Sequence, residues 1–164
     1  MKSLLVFILL PISLFAQEGK WYKSIDQALL NANEVYQLQL KRKGLKSFPE
    51  ELSQLPNLVK LDLSKNKIHT FPDTLTYLSK LQFLDLSRND IESIPEHISQ
   101  LESLAHLDLW DNYIDRLPEQ MSELKNLKYL DIRGVAMSYD KYNSYLKMME
   151  GLEFFMSEPC DCQE

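Results

Sequence analysis

Leu61-Asp62-Leu63-Ser64 returns as Leu84-Asp85-Leu86-Ser87, then Leu107-Asp108-Leu109-Trp110, then Leu130-Asp131-Ile132-Arg133, each 23 residues after the last. A fixed step of that length describes a stack of like units, none of which can bury its apolar face alone. Inside the phrase, apolar and polar residues alternate, as a strand with one buried face requires. Working outward, the unit reads Leu58-x-x-Leu61-x-Leu63-x-x-Asn66-x-Ile68-x-x-Phe71-Pro72-x-x-Leu75-x-x-Leu78. Units beginning at Leu81 and Leu104 repeat it through Asn89 and Pro95, and through Asn112 and Pro118. A further unit precedes them, with Val35, Leu38, Leu40, Leu45, Phe48-Pro49, Leu52 and Leu55. A partial one follows, with Leu127, Leu130, Ile132 and Val135.

Across residues 35–135 this pattern resembles the leucine-rich repeat family in its 23-residue form. The resemblance implies an α/β fold, a leucine-rich-repeat solenoid shaped as a short curved horseshoe. A parallel sheet of five strands would line the concave face. Short helices or 3₁₀ turns would line the convex face, with helical caps at both ends. It also implies that Asn66, Asn89 and Asn112 form a structural ladder, each amide bonding buried backbone of the turn. Lys43 and Val135 stand where asparagine is expected, so the end units are atypical, as capping units are. Pro49, Pro72, Pro95 and Pro118 are each followed by an acid: Glu50, Asp73, Glu96 and Glu119. Proline at the first helical position with an acid in the first turn predicts a helix or 3₁₀ start at each.

The flanks divide the chain further. Residues 1–16 read as a signal peptide: Lys2, an apolar run from Leu4 to Phe15, and Ala16 before a polar stretch. The run is shorter than the ~20 apolar residues of a membrane span. Removing 16 of 164 residues leaves 148 and takes the net charge from −6 to −7. Residues 17–34 are expected to form a helical cap. Ser24 and Gln27 make a capping box, and Ile25, Ala28 and Leu29 share a face. Residues 136–164 are expected to close the other end with a helix over 138–149, a stop at Gly151 and a strand over 152–156. Tyr139, Tyr142, Tyr145, Phe154 and Phe155 would pack inside that cap. Cys160 and Cys162 suit a local disulfide, pairing with another chain or an inert reduced tail; no second ligand pair suggests zinc.

Outward strand positions form columns. One is Gln37, Lys60, Phe83, His106 and Tyr129; the next is Gln39, Asp62, Asp85, Asp108 and Asp131. A third is Lys41, Ser64, Ser87, Trp110 and Arg133; a fourth is Arg42, Lys65, Arg88, Asp111 and Gly134. Aromatic residues on an outward face favour contact with a partner. The expected ligand-binding set is therefore Lys60, Phe83, Asp85, His106, Asp108, Trp110, Tyr129, Asp131 and Arg133. The aspartate column has a structural reading beside the binding one, because Leu-Asp-Leu-Ser is common in the family.

The acidic balance disfavours nucleic acid and anionic membranes as partners. No phosphate loop, nucleophile elbow or zinc-protease motif occurs, so no enzyme, cofactor or metal is expected. His106 is the one histidine on a face with carboxylates (Asp85, Asp108 and Asp131), and a solvated histidine is the commoner case. The expectation is a monomeric, exported protein–protein interaction module, periplasmic or at the cell surface, that holds a protein or peptide on its concave face. A signal peptide without Cys-rich caps resembles exported bacterial members of the family. The alternative is a structural or self-associating envelope protein.

Overall fold

A computed structural model of the protein describes residues 19–73, 75–134, 143–145, 147 and 153–155. Seven short strands form one sheet: β1 (Trp21–Tyr22), β2 (Gln37–Gln39), β3 (Lys60–Asp62), β4 (Phe83–Asp85), β5 (His106–Asp108), β6 (Tyr129–Asp131) and β7 (Glu153–Phe155). They pair in chain order and in parallel. Register follows the repeat: Lys60 pairs with Phe83, Phe83 with His106, and His106 with Tyr129. Each outward residue therefore stands about 4.8 Å from its equivalent in the next repeat.

The strand-centre residues Leu38, Leu61, Leu84, Leu107 and Leu130 are fully buried. On the return path Leu52, Leu55, Leu78, Ile98 and Leu101 meet them from the other side. Each such side chain contributes about 2 kcal/mol of burial. The return path carries 3₁₀ turns at Glu50–Gln54, Thr76–Leu78, Glu96–Gln100 and Glu119–Glu123.

Between strand and return path runs the asparagine ladder. Asn66 Nδ2 donates to the Leu40 and Leu63 carbonyls at 2.9 and 2.7 Å, and its Oδ1 accepts the Lys43 and Leu45 N–H groups. Asn89 Nδ2 donates to Leu63 and Leu86 at 3.1 and 2.8 Å and its Oδ1 accepts from Ile68. Asn112 does the same with Leu86, Leu109 and Ile91. The residue before each asparagine is left-handed: Lys65 and Arg88 at φ 57°, Asp111 at 59°. Arg42 and Gly134 take that place in the flanking units.

Several local expectations change. The sheet has seven strands rather than five, because both caps add one. Trp21–Tyr22 pairs with β2, so the N-terminal cap is a strand followed by the helix α1 (Ile25–Leu29). Ser24 is the N-cap of α1, but its side chain makes no capping bond, so the capping box is not formed. Ala28 is buried, and Ile25 and Leu29 pack against the core as the helical spacing indicates. Pro49, Pro95 and Pro118 are N-caps in extended conformation, one residue ahead of the first helical position. There each proline carbonyl accepts the N–H three residues on.

Pro72 differs. Its turn starts at Thr76, and its carbonyl instead accepts from His97 Nε2 at 2.7 Å. The Leu75 N–H donates to Gln100 Oε1 at 2.9 Å. Side chains of the next repeat thus replace the backbone bond that closes the other turns.

At the C-terminal end, residues 143–145 and 147 are helical and β7 lies within the expected last strand. Tyr145 is buried, and its hydroxyl accepts the Leu117 N–H at 2.9 Å. The signal segment 1–16, Val135, Tyr139, Tyr142, Gly151, Cys160 and Cys162 lie outside the described residues. Among the described residues no helix is long and apolar enough to cross a membrane.

Candidate functional site

The repeat register builds an aromatic stack across the concave face. Phe83 and His106 open β4 and β5, with ring centroids 4.4 Å apart and planes 19° from parallel. His106 and Tyr129 are closer still, at 3.9 Å and 4°. Equivalent positions on neighbouring strands are spaced so that rings meet face to face. The Tyr129 ring then tilts against Phe155 at 5.2 Å. Phe155 pairs with Asp131 in the next column, so it belongs to the concave face and not to the interior of the cap. Phe83, His106, Tyr129 and Phe155 are all half-buried, while Lys60 ahead of them is exposed.

Burial lowers the His106 pKa, against the raising influence of Asp85, Asp131 and Glu153. Burial thus favours the uncharged imidazole, which stacks between Phe83 and Tyr129. Among the described residues, no group of three or more His, Cys, Asp or Glu is placed to hold a metal ion.

The aspartate column has a backbone task. Oδ1 of Asp62, Asp85, Asp108 and Asp131 accepts the N–H two residues on, from Ser64, Ser87, Trp110 and Arg133, at 2.9 to 3.0 Å. This is a side-chain turn that satisfies a donor as the chain leaves the strand. Ser64 and Ser87 add a hydroxyl bond to the same oxygen, at 2.6 and 2.7 Å. Asp131 is held instead by the Arg133 guanidinium and, at 3.4 Å, by the Tyr129 hydroxyl.

Asp108 is the exception. Trp110 stands where the serine would be, so the backbone bond is kept but no hydroxyl is offered. The Asp108 carboxyl is pushed up to about 6, chiefly by burial and also by Asp85 and Asp131, against the lowering influence of the Trp110 N–H and Arg133.

Trp110 itself is half-buried between two guanidinium groups. Arg88 Cζ lies 4.3 Å from its ring centroid and Arg133 Cζ 6.0 Å. Arg133 also stands 5.7 Å from the Phe155 ring, linking the tryptophan to the stack. The expected set is thus brought onto one face: Phe83, His106, Tyr129 and Trp110 present rings, and Arg133 bridges them. Asp85, Asp108 and Asp131 lie beneath in structural bonds. Sequence reasoning missed Phe155 in this set. The signal available was its alternation with Glu153 in a short apolar strand.

A leucine-rich repeat region model matches residues 73–163, and a leucine rich repeat model matches residues 33–91. No curated protein matches the chain significantly. Among solved structures, a leucine-rich repeat protein of Leptospira interrogans is 30% identical, covering 72% of this chain and 36% of its own, with a TM-score of 0.51. The BIR2 ectodomain of Arabidopsis thaliana is 31% identical, covering 61% of this chain and 55% of its own, with a TM-score of 0.55. Internalin C2 of Listeria monocytogenes shares the fold at 24% identity, covering 80% and 55%, with a TM-score of 0.64. The chain spans between about a third and somewhat over half the length of these structures. Family models that together run from residue 33 to 163 fall on a solenoid whose rungs recur every 23 residues, and the chain belongs to the leucine-rich repeat family.

Proposed function

We propose that this protein is an exported interaction module that holds an extended segment of another protein on its concave face. The observation that carries the reading is the aromatic surface made by Phe83, His106, Tyr129, Phe155 and Trp110. These rings project from a sheet whose core is already filled by the leucines behind it, so the fold does not require them. Large, rigid rings flanked by arginine are the residue types that dominate interface energetics. A partner covering five strands would bury an area near or below ~800 Å² on each side. Export is supported by the N-terminal segment 1–16, which reads as a signal peptide, and by the likeness to a plant ectodomain. The site residues are Phe83, His106, Trp110, Tyr129, Phe155 and Arg133, with Lys60 at the margin.

The test is a paired capture. Immobilised wild type and a Phe83→Ala/Trp110→Ala/Tyr129→Ala variant are offered the same extract, and bound proteins are identified by mass spectrometry. Proteins kept only by the wild type, with both proteins melting cooperatively, support the reading. Identical captures would falsify it.

A further inference from the structure

Away from the aromatic stack, Arg42, Lys65 and Arg88 hold one position in three successive repeats, each at φ 57°. Glycine and asparagine fill left-handed backbone with least strain, and a long cationic side chain has no local reason to be there. Register aligns the three. The Arg42 N–H donates to the Ser64 carbonyl at 3.2 Å, Lys65 to Ser87 at 2.9 Å and Arg88 to Trp110 at 2.7 Å. Neighbours in the column are thus one strand spacing apart, ~4.8 Å. Lys41 adds a fourth charge beside Arg42. Loss of solvation, then the charges of Arg42, Arg88 and Lys41, lower the Lys65 pKa, against the raising influence of Asp85.

Arg88 pairs with Asp111 and Arg133 with Asp131. Arg88 is further occupied by the Trp110 ring. Among the described residues no carboxylate lies within pairing distance of Lys41, Arg42 or Lys65, in a chain with 24 acids and 18 bases. The column ends where the repeat places Asp111 and Gly134. Strained, mutually repelling cations with no paired carboxylate mark a place prepared for an anion.

We propose that Lys41, Arg42 and Lys65 form a stripe that takes an acidic stretch of polypeptide. This deepens and rests on the reading of the concave face as a protein-binding surface. Arg88 and Trp110 connect the stripe to the aromatic stack, so one extended partner reaches both. From Arg42 to Arg88 the column spans roughly 10 Å, the length of about three extended residues. Guanidinium and ammonium groups bind carboxylates by charge-assisted hydrogen bonds.

The experiment is fluorescence anisotropy of the purified protein with a labelled, glutamate-rich peptide of roughly ten residues. Wild type is compared with Arg42→Gly/Lys65→Gly, which removes charge while relieving the left-handed backbone. The expected result is at least tenfold weaker peptide binding with an unchanged or higher melting temperature. Binding should also weaken as salt rises from about 0.05 to about 0.5 M. Arg42→Asn/Lys65→Asn must show the same loss, since asparagine also accepts this backbone. Failure of the wild type to bind the peptide would overturn the proposal. So would equal binding by both variants, or binding of a sulfated polysaccharide and not of the peptide. Peptide binding that survives Phe83→Ala/Trp110→Ala assigns it to the stripe; binding lost with those residues but kept without Arg42 and Lys65 overturns the stripe. Capture on the stack is measured separately, so either reading can fail alone.

Discussion

Two neighbouring repeats share a backbone and differ in chemistry. In one, Ser87 gives Asp85 a backbone N–H and a hydroxyl. In the next, Trp110 gives Asp108 only the N–H. The serine hydroxyl bond has no counterpart at Asp108, whose carboxyl burial pushes up to about 6. Trp110 also supplies the ring that Arg88 and Arg133 flank. The frame is therefore indifferent to outward residues, and those residues alone divide the face into a cationic half and an aromatic half.

The strongest way to break the comparison is to attack what both halves share. Asn89→Ala strips the Leu63 and Leu86 carbonyls and the Ile68 N–H of their partner. Buried groups left unpaired cost ~1–3 kcal/mol each, so a loss of about 3 kcal/mol or more is expected in denaturant unfolding. A loss below about 1 kcal/mol would mean the ladder is dispensable.

Trp110→Ser makes the aromatic half resemble the other. The new hydroxyl should bond Asp108, and the carboxyl should return toward the ordinary aspartate range, read by NMR titration. Partner capture should fall at least tenfold, about 1.4 kcal/mol. An Asp108 titration that stays near 6 would show that the indole is not what shifts it.

Asp108→Asn keeps an acceptor for the Trp110 N–H and removes the charge. Below about pH 4 both folded and unfolded Asp108 hold a proton, so the carboxyl costs nothing. As pH rises, the unfolded carboxyl ionises first, and stability falls until the folded group has ionised above about 6. The variant should therefore match wild type at low pH and gain on the order of 1 kcal/mol above neutrality, discounted because Asp108 is part-exposed. His106 acts in the opposite sense: its lowered pKa means stability is lost as pH falls below about 6.5. Comparing the two proteins by thermal melts at each pH cancels that background.

The smallest effect belongs to the boundary between the halves. Asp111→Asn breaks an exposed pair with Arg88 at 3.7 Å, and asparagine tolerates left-handed backbone. Stability should change by less than about 0.5 kcal/mol. A larger loss would mean that Arg88 depends on Asp111 to stay over Trp110.

The solenoid, its register and the ladder were legible because they repeat. Every inward leucine and every ladder asparagine has equivalents 23 residues away, and four aligned copies outweigh local ambiguity. The aromatic column was legible for the same reason, since Phe83, His106 and Tyr129 stand at equivalent positions. Where repetition stops, reading weakened. Trp21–Tyr22 is a strand only because β2 is beside it. Phe155 faces outward because β7 pairs with β6 in one register and not the next. Pro72 looks like the other prolines, yet its carbonyl goes to His97 of the following repeat.

By itself the sequence determined the stack, the identity of each rung and the columns on the concave face, because periodic burial leaves one register that hides the leucines. Tertiary structure alone decided how the columns behave. The aspartates became backbone caps, His106 became a stacked ring whose burial lowers its pKa, and the Asp108 carboxyl was pushed up to about 6. Those outcomes depend on solvation and on partners in other repeats, and no single repeat carries that information.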